Sequence, residues 1–103
     1  KEGYEIKYDS WIGKSKRLSI EIGEKTKKEN KEFIASGICR CDNTRYYVQG
    51  DDNTAWIFRK ADLLKYFIKN YPMPIIEDKP PTIQKFYLSV EIADKLAIRK
   101  ITL

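Results

Sequence analysis

Apolar and polar residues alternate along much of this chain with the period of two that a β-strand imposes on side chains on opposite faces of a sheet. In YEIKYD (4–9), Tyr4, Ile6 and Tyr8 point one way and Glu5, Lys7 and Asp9 the other. That predicts a half-buried strand with one apolar and one charged face. RLSIEIG (17–23) repeats the pattern, with Leu18, Ile20 and Ile22 as core positions and Ser19 and Glu21 opposite them. The basic stretch GKSKR (13–17) between them reads as a turn. The two strands are therefore expected to pair as an antiparallel hairpin. EKTKKENKEF (24–33) is a lysine-rich connection, expected to be solvated because glutamates interleave its lysines. FIASGICRC (33–41) reads as a short strand broken at Ser36-Gly37, where glycine signals a bulge or a close backbone approach.

TRYYVQG (44–50) and TAWIFRK (54–60) flank the turn sequence GDDN and predict a second hairpin. After Asp62, residues Leu63, Leu64, Phe67 and Ile68 recur at helical spacing, and Pro72 and Pro74 stop that helix. EDKPPTIQ (77–84) reads as a loop, KFYLSV (85–90) as a strand and EIADKLAIRKI (91–101) as a short helix or coil. Strands followed by a helix, a strand and a further short helix give the class α/β, or α+β. With 103 residues, a single domain over the whole chain is expected.

Apolar residues at 42% can supply a core, and charges mixed among them argue for a folded chain. The net charge of +5 suits a nucleic-acid or phosphate partner without singling one out. The absence of histidine carries more weight. It excludes histidine-based acid–base pairs and leaves a metal only oxygen donors, hence Mg²⁺ or Mn²⁺ before zinc. Cys39 and Cys41 are too few for a zinc site and are expected to be free thiols in a reducing, cytoplasmic compartment. No apolar run is long enough for a membrane span and no signal peptide is visible, so no membrane partner is expected. The chain begins at Lys1, which is the expectation for a processed product or a fragment.

The candidate chemistry starts from Glu5-Ile6-Lys7. In a chain this rich in acids and lysines, an acid-x-Lys triplet arises about twice by chance. ENK (29–31) and EDK (77–79) also occur, both in loop-like sequence. Only Glu5 and Lys7 lie on an alternating strand, where they share a face. Such a pair can serve phosphodiester hydrolysis, the carboxylate holding Mg²⁺ and the ammonium orienting the attacking water. Asp9 continues the same face. A solvated sheet face with cross-strand ion pairs explains the same residues. Lys14, Lys16 and Arg17 beside this strand could contact phosphates, or simply solvate a turn. Trp11, Tyr46, Tyr47 and Trp56 could stack on bases but fit a core better, Trp11 least so. Asp51-Asp52-Asn53 fits a hairpin turn better than a metal loop.

The succession YEIKYD, turn, LSIEIG, SGI and tyrosine-rich strand resembles a pattern in the PD-(D/E)XK superfamily, the restriction-endonuclease-like nucleases. It is similar to a small phage- and bacteria-associated group reading E-x-K-x-D, a T-G-N turn, I-E, then S-G-I. The resemblance covers residues 4–68 and implies a mixed sheet flanked by helices. It implies Glu5 as metal ligand, Lys7 as the lysine of the active site, and Asp9 and Glu21 as supporting acids. Ser36 and Gly37 match S-G-I, and Ser36 joins Lys14, Lys16 and Arg17 as a candidate nucleic-acid contact. Ser15-Lys16-Arg17 stands where the group has T-G-N. The aspartate strand and helix that precede E-x-K in the family have no counterpart from Lys1 onward. The resemblance thus implies a Mg²⁺- or Mn²⁺-dependent DNA endonuclease or resolvase-like hydrolase, a possible homodimer, in a cytoplasm that is the host's if the gene is a phage's. A non-catalytic nucleic-acid-binding or structural protein of the same fold is the alternative, and a protein-binding α/β domain is a third.

Overall fold

The computed structural model describes residues 3–25, 32–78 and 82–102. Eight strands form two four-stranded sheets among these residues. The first sheet runs β1 (Gly3–Tyr8), β4 (Thr44–Gly50), β5 (Thr54–Arg59), β8 (Arg99–Thr102). The second runs β3 (Ile34–Ala35), β2 (Arg17–Lys25), β7 (Thr82–Ser89), β6 (Ile75–Glu77). Three helices, α1 (Ile12–Ser15), α2 (Lys60–Asn70) and α3 (Val90–Leu96), complete a mixed α/β fold. None of the described helices is long and apolar enough to cross a membrane.

Local chemistry explains several elements directly. The β4–β5 hairpin forms as expected, because the Asp51 carboxylate accepts hydrogen bonds from the backbone N–H groups of Asn53 (2.8 Å) and Thr54 (3.0 Å). The helix predicted after Asp62 begins two residues earlier, at Lys60, and ends before Pro72. It buries Leu63 and packs Tyr66 and Phe67 on the core, while Leu64 and Ile68, one position further round, stay exposed. The Ser89 hydroxyl accepts a hydrogen bond from the Ile92 N–H and caps α3.

The core lies where the inner face of the first sheet (Tyr47, Trp56, Phe58) meets Leu18 and Ile20 of β2 and Phe86 and Leu88 of β7. Phe86 is fully buried and its ring lies 5.2 Å from that of Phe67 and 5.6 Å from that of Tyr71. Ring packing of this kind adds about 0.5–1.5 kcal/mol to the burial itself.

Four expectations need correction. β1 and β2 do not form a hairpin. They belong to different sheets, and β1 pairs in parallel with β4. GKSKR is not a simple turn: its first residues complete α1, and Lys16 adopts a left-handed conformation (φ 57°) that turns the chain into the second sheet. Residues 33–41 hold only the two-residue β3, followed by a 3-10 turn over Gly37–Cys39. Finally, β7 starts at Thr82, inside the expected loop, and Arg99–Thr102 pairs with β5 as an edge strand. Both extensions arise because a partner strand was present to satisfy the backbone, which local sequence does not reveal. Most of the lysine-rich connection, residues 26–31, lies outside the described residues.

The packing predicts a sharp contrast along α2 and its contacts. Phe86→Ala should lower unfolding free energy by about 3–5 kcal/mol, whereas Ile68→Ala should stay within about 0.5 kcal/mol of the parent. Urea unfolding midpoints of the two variants check this.

Candidate functional site

β1 is oriented against its hydrophobicity. Its apolar side chains face solvent, with Ile6 77% and Tyr8 60% exposed, while on the other side Glu5 is half-buried and Lys7 stays 44% exposed. The alternation correctly separates two faces, but the expected burial of the apolar one is reversed. Parallel pairing sets Glu5 beside the buried Tyr47 and Lys7 beside the buried Gln49. Charges placed there need partners, because an unpaired buried charge costs several kcal/mol.

Glu5 finds its partner on α2. The buried Lys60 ammonium donates to Glu5 Oε1 at 2.9 Å. It also donates to Thr44 Oγ1 and approaches Asp42 Oδ1 at 3.4 Å. Thr44 in turn donates through its hydroxyl and its N–H to Asp42. These Thr44 hydrogen bonds, helped by Lys60, hold the Asp42 carboxyl below the usual carboxylate range.

Lys7 finds its partner across the gap between the sheets, where its Nζ lies 3.6 Å from Glu21 Oε1. The other Glu21 oxygen accepts a 2.5 Å hydrogen bond from the fully buried Ser36 hydroxyl. Gly37 follows with φ 53°, and a Cβ there would lie 2.1 Å from the Glu21 carbonyl oxygen. Only glycine permits this approach. The three short motifs therefore meet in space: Lys7 of E-x-K, Glu21 of I-E, and Ser36-Gly37 of S-G-I.

Asp9 closes a third branch. Tyr47 donates its hydroxyl to Gln49 Oε1 (2.6 Å), and Gln49 Nε2 donates to Asp9 Oδ2 (2.9 Å) and to the Ser19 carbonyl (3.2 Å). Burial raises the Tyr47 phenol pKa, and the charges of Glu5, Glu21 and Asp9 raise it further. The phenol stays protonated as a donor, and all three carboxylates act on it. The second Asp9 oxygen accepts from the Trp11 N–H at 3.0 Å and sets the start of the turn that carries Trp11.

A groove opens beside this cluster. One part, about 240 Å³, is lined by Lys7, Asp9, Trp11, Ser19, Glu21 and Lys85 among others. A second part of about 430 Å³ shares Asp9, Trp11, Ser19, Glu77 and Lys85 with it and adds Ser15, Arg17 and Tyr87. The Arg17 guanidinium sits 3.7 Å from the Tyr87 ring centroid. Lys85 donates to Glu77 at 2.8 Å. Burial works against its ammonium form, but Glu77 and Tyr87 outweigh it and raise its pKa.

Of the basic residues singled out from sequence, Arg17 lines the groove, and Lys14 lies over the 66%-exposed Trp11 ring at 5.5 Å. Lys16 lies elsewhere, beside Asp51, Trp56 and Lys100. Ser36 is buried against Glu21. Tyr47 and Trp56 are core, as expected. Cys39 and Cys41 are free thiols, and burial raises the Cys39 pKa. Sequence reading missed Lys60, Lys85, Gln49 and Asp42. Asp42-x-Thr44 and a lone glutamine in an apolar strand were the available signals for the last two.

The donor set suits a hard divalent cation in chemistry but not in number. Its inward-facing donors are carboxylate oxygens, yet the Glu5 carboxylate is engaged by Lys60. No group of three acidic, cysteine or histidine side chains converges for a metal among the described residues. Comparison with protein-family models, with curated proteins and with solved structures finds no match to this chain.

The Asp42 shift fixes a pH dependence. A carboxyl whose folded pKa lies below its unfolded value stabilises fully above that unfolded value, about 4, and loses the contribution as pH falls through the folded pKa. Stability should therefore decline below about pH 4. Asp42→Asn should flatten that decline, read as unfolding midpoints across an acid pH series.

Proposed function

We propose that this chain is a restriction-endonuclease-like nuclease domain that hydrolyses phosphodiester bonds in DNA with Mg²⁺ or Mn²⁺. The observation that carries the reading is the orientation of β1, which exposes Tyr4, Ile6 and Tyr8, half-buries Glu5 and sets Lys7 at the groove against Glu21. Burial of apolar area favours the opposite orientation by about 25 cal/mol per Å². A strand that forgoes this, and recruits Lys60, Glu21 and Gln49 around its charged side, fits selection for chemistry.

The resemblance to E-x-K implies the roles, and the contacts support some of them. Glu5 is the residue that would hold the metal, which would supply charge stabilisation at the phosphate, and to do so its carboxylate would have to give up Lys60. Lys7 lines the groove and orients the attacking water, with Glu21 setting the position of its ammonium. Ser36 holds Glu21, and Gly37 lets that turn approach. Asp9 supports the face through Gln49. Arg17 supplies positive charge along the groove, where Lys85 is paired with Glu77, and the exposed Trp11 supplies aromatic surface for bases.

The Glu5–Lys60 ion pair favours a second reading, in which the same groove binds nucleic acid without cutting it. One set of experiments separates the two. Single-stranded, duplex and branched DNA are incubated with the protein, with and without Mn²⁺. The nuclease reading predicts metal-dependent cleavage that falls about 10²-fold or more in Glu5→Ala and in Lys7→Ala. Cleavage undiminished in both variants, or none on any substrate, defeats it. Binding that weakens with rising salt and is reduced in Arg17→Ala, without cleavage, is the outcome of the second reading.

A further inference from the structure

β1 is an edge strand: it pairs with β4 on one side and with no strand among the described residues on the other. Its sequence from Tyr4 to Tyr8 is Tyr-Glu-Ile-Lys-Tyr, which is complementary to itself when reversed. We propose that two copies of this chain pair antiparallel through β1, about a two-fold axis at Ile6. This inference does not depend on the nuclease reading.

In that register Tyr4 lies opposite Tyr8 of the second copy, Ile6 opposite Ile6, and Glu5 opposite Lys7. Opposite residues of an antiparallel pair share a face. The exposed Tyr4, Ile6 and Tyr8 of both copies therefore form one continuous apolar band. Tyr4 already stacks on Tyr46 of the neighbouring strand, at 5.0 Å between centroids, so the band continues across the sheet. On the other face, Glu5 of each copy lies opposite Lys7 of the other, beside the Lys60 and Glu21 that pair with them within each copy.

The charges select this register over its neighbours. A slip of the pairing centre to Lys7 sets lysine against lysine, and a slip to Glu5 sets glutamate against glutamate. Parallel pairing in register does both. Each wrong arrangement places like charges opposite each other, which opposes pairing. Inward-pointing charges usually guard an edge strand against association. Here they favour the register centred on Ile6 over those centred on Glu5 and on Lys7 and over parallel in-register pairing. An isologous contact of this kind closes on itself and stops at a dimer. A six-residue strand buries less than a standard interface, so the dimer depends on protein concentration.

Sedimentation equilibrium over a concentration series tests the proposal. The parent chain should show a monomer–dimer equilibrium. Ile6→Lys sets two lysines against each other at the axis, and because Ile6 is 77% exposed in the monomer the fold does not rest on it. That variant should be monomeric. Glu5→Lys and Lys7→Glu, each checked for its native circular dichroism spectrum, should each be monomeric alone. Mixed together, they restore opposite charges at both positions and should form a heterodimer about tenfold tighter than either self-association. If either charge variant fails to fold, Ile6→Lys decides alone. A parent chain that is monomeric throughout overturns the proposal. So does a dimer that survives Ile6→Lys, or a mixture of folded charge variants that stays monomeric.

Discussion

A charged side chain turned toward a protein interior must meet an opposite charge or a hydrogen-bonding group, and one side of β1, continued by Asp9, carries the half-buried Glu5 and Asp9 and the more exposed Lys7. Much of the rest of the fold serves this constraint. Lys60 at the start of α2 answers Glu5, Glu21 of β2 answers Lys7, and Gln49 of β4 answers Asp9. Satisfaction is complete by simple accounting: no buried side-chain nitrogen or oxygen among the described residues lacks a partner. In a low-dielectric setting such a network is rigid when every member is paired and costly when one is missing.

Stability alone does not explain the arrangement. Tyr4 and Ile6 would contribute more if buried, and apolar residues in place of an ion pair often leave a fold as stable or more so. The network instead holds a lysine and a carboxylate at the mouth of a groove that also carries Arg17, Lys85 and exposed Trp11. Gly37 shows how tightly the support is built, since no other residue would let the Ser36 turn close on Glu21. Rigid placement of polar groups is what acid–base and electrostatic catalysis require.

The parts of this design that were legible in sequence are those fixed by local chemistry. The β4–β5 hairpin followed from Asp51 and its turn, and α2 from the spacing of Leu63 and Phe67 ahead of Pro72. The two faces of β1 and β2 followed from strict alternation. Alternation cannot say which face is inside, and for β1 the apolar face proved to be the outer one. The parallel β1–β4 pairing joins residues about forty positions apart and leaves no local trace. Lys60 was hidden for a simpler reason: in a chain with 20 lysines and arginines, one buried cation looks like any other. Glu5, Lys7, Glu21 and Ser36 were named as site residues because short motifs drew attention to them. Their mutual contacts required the fold.

The central claim is that the inward charges of β1 exist for function and not for stability. Urea unfolding of Lys7→Met tests it most directly, because it removes the inter-sheet ion pair while leaving Glu21 to accept from the buried Ser36 hydroxyl. The account predicts an unfolding free energy within about 1 kcal/mol of the parent's, with DNA cleavage or binding lost in the same preparation. A loss of several kcal/mol, with activity on DNA intact in the fraction that remains folded, would contradict it.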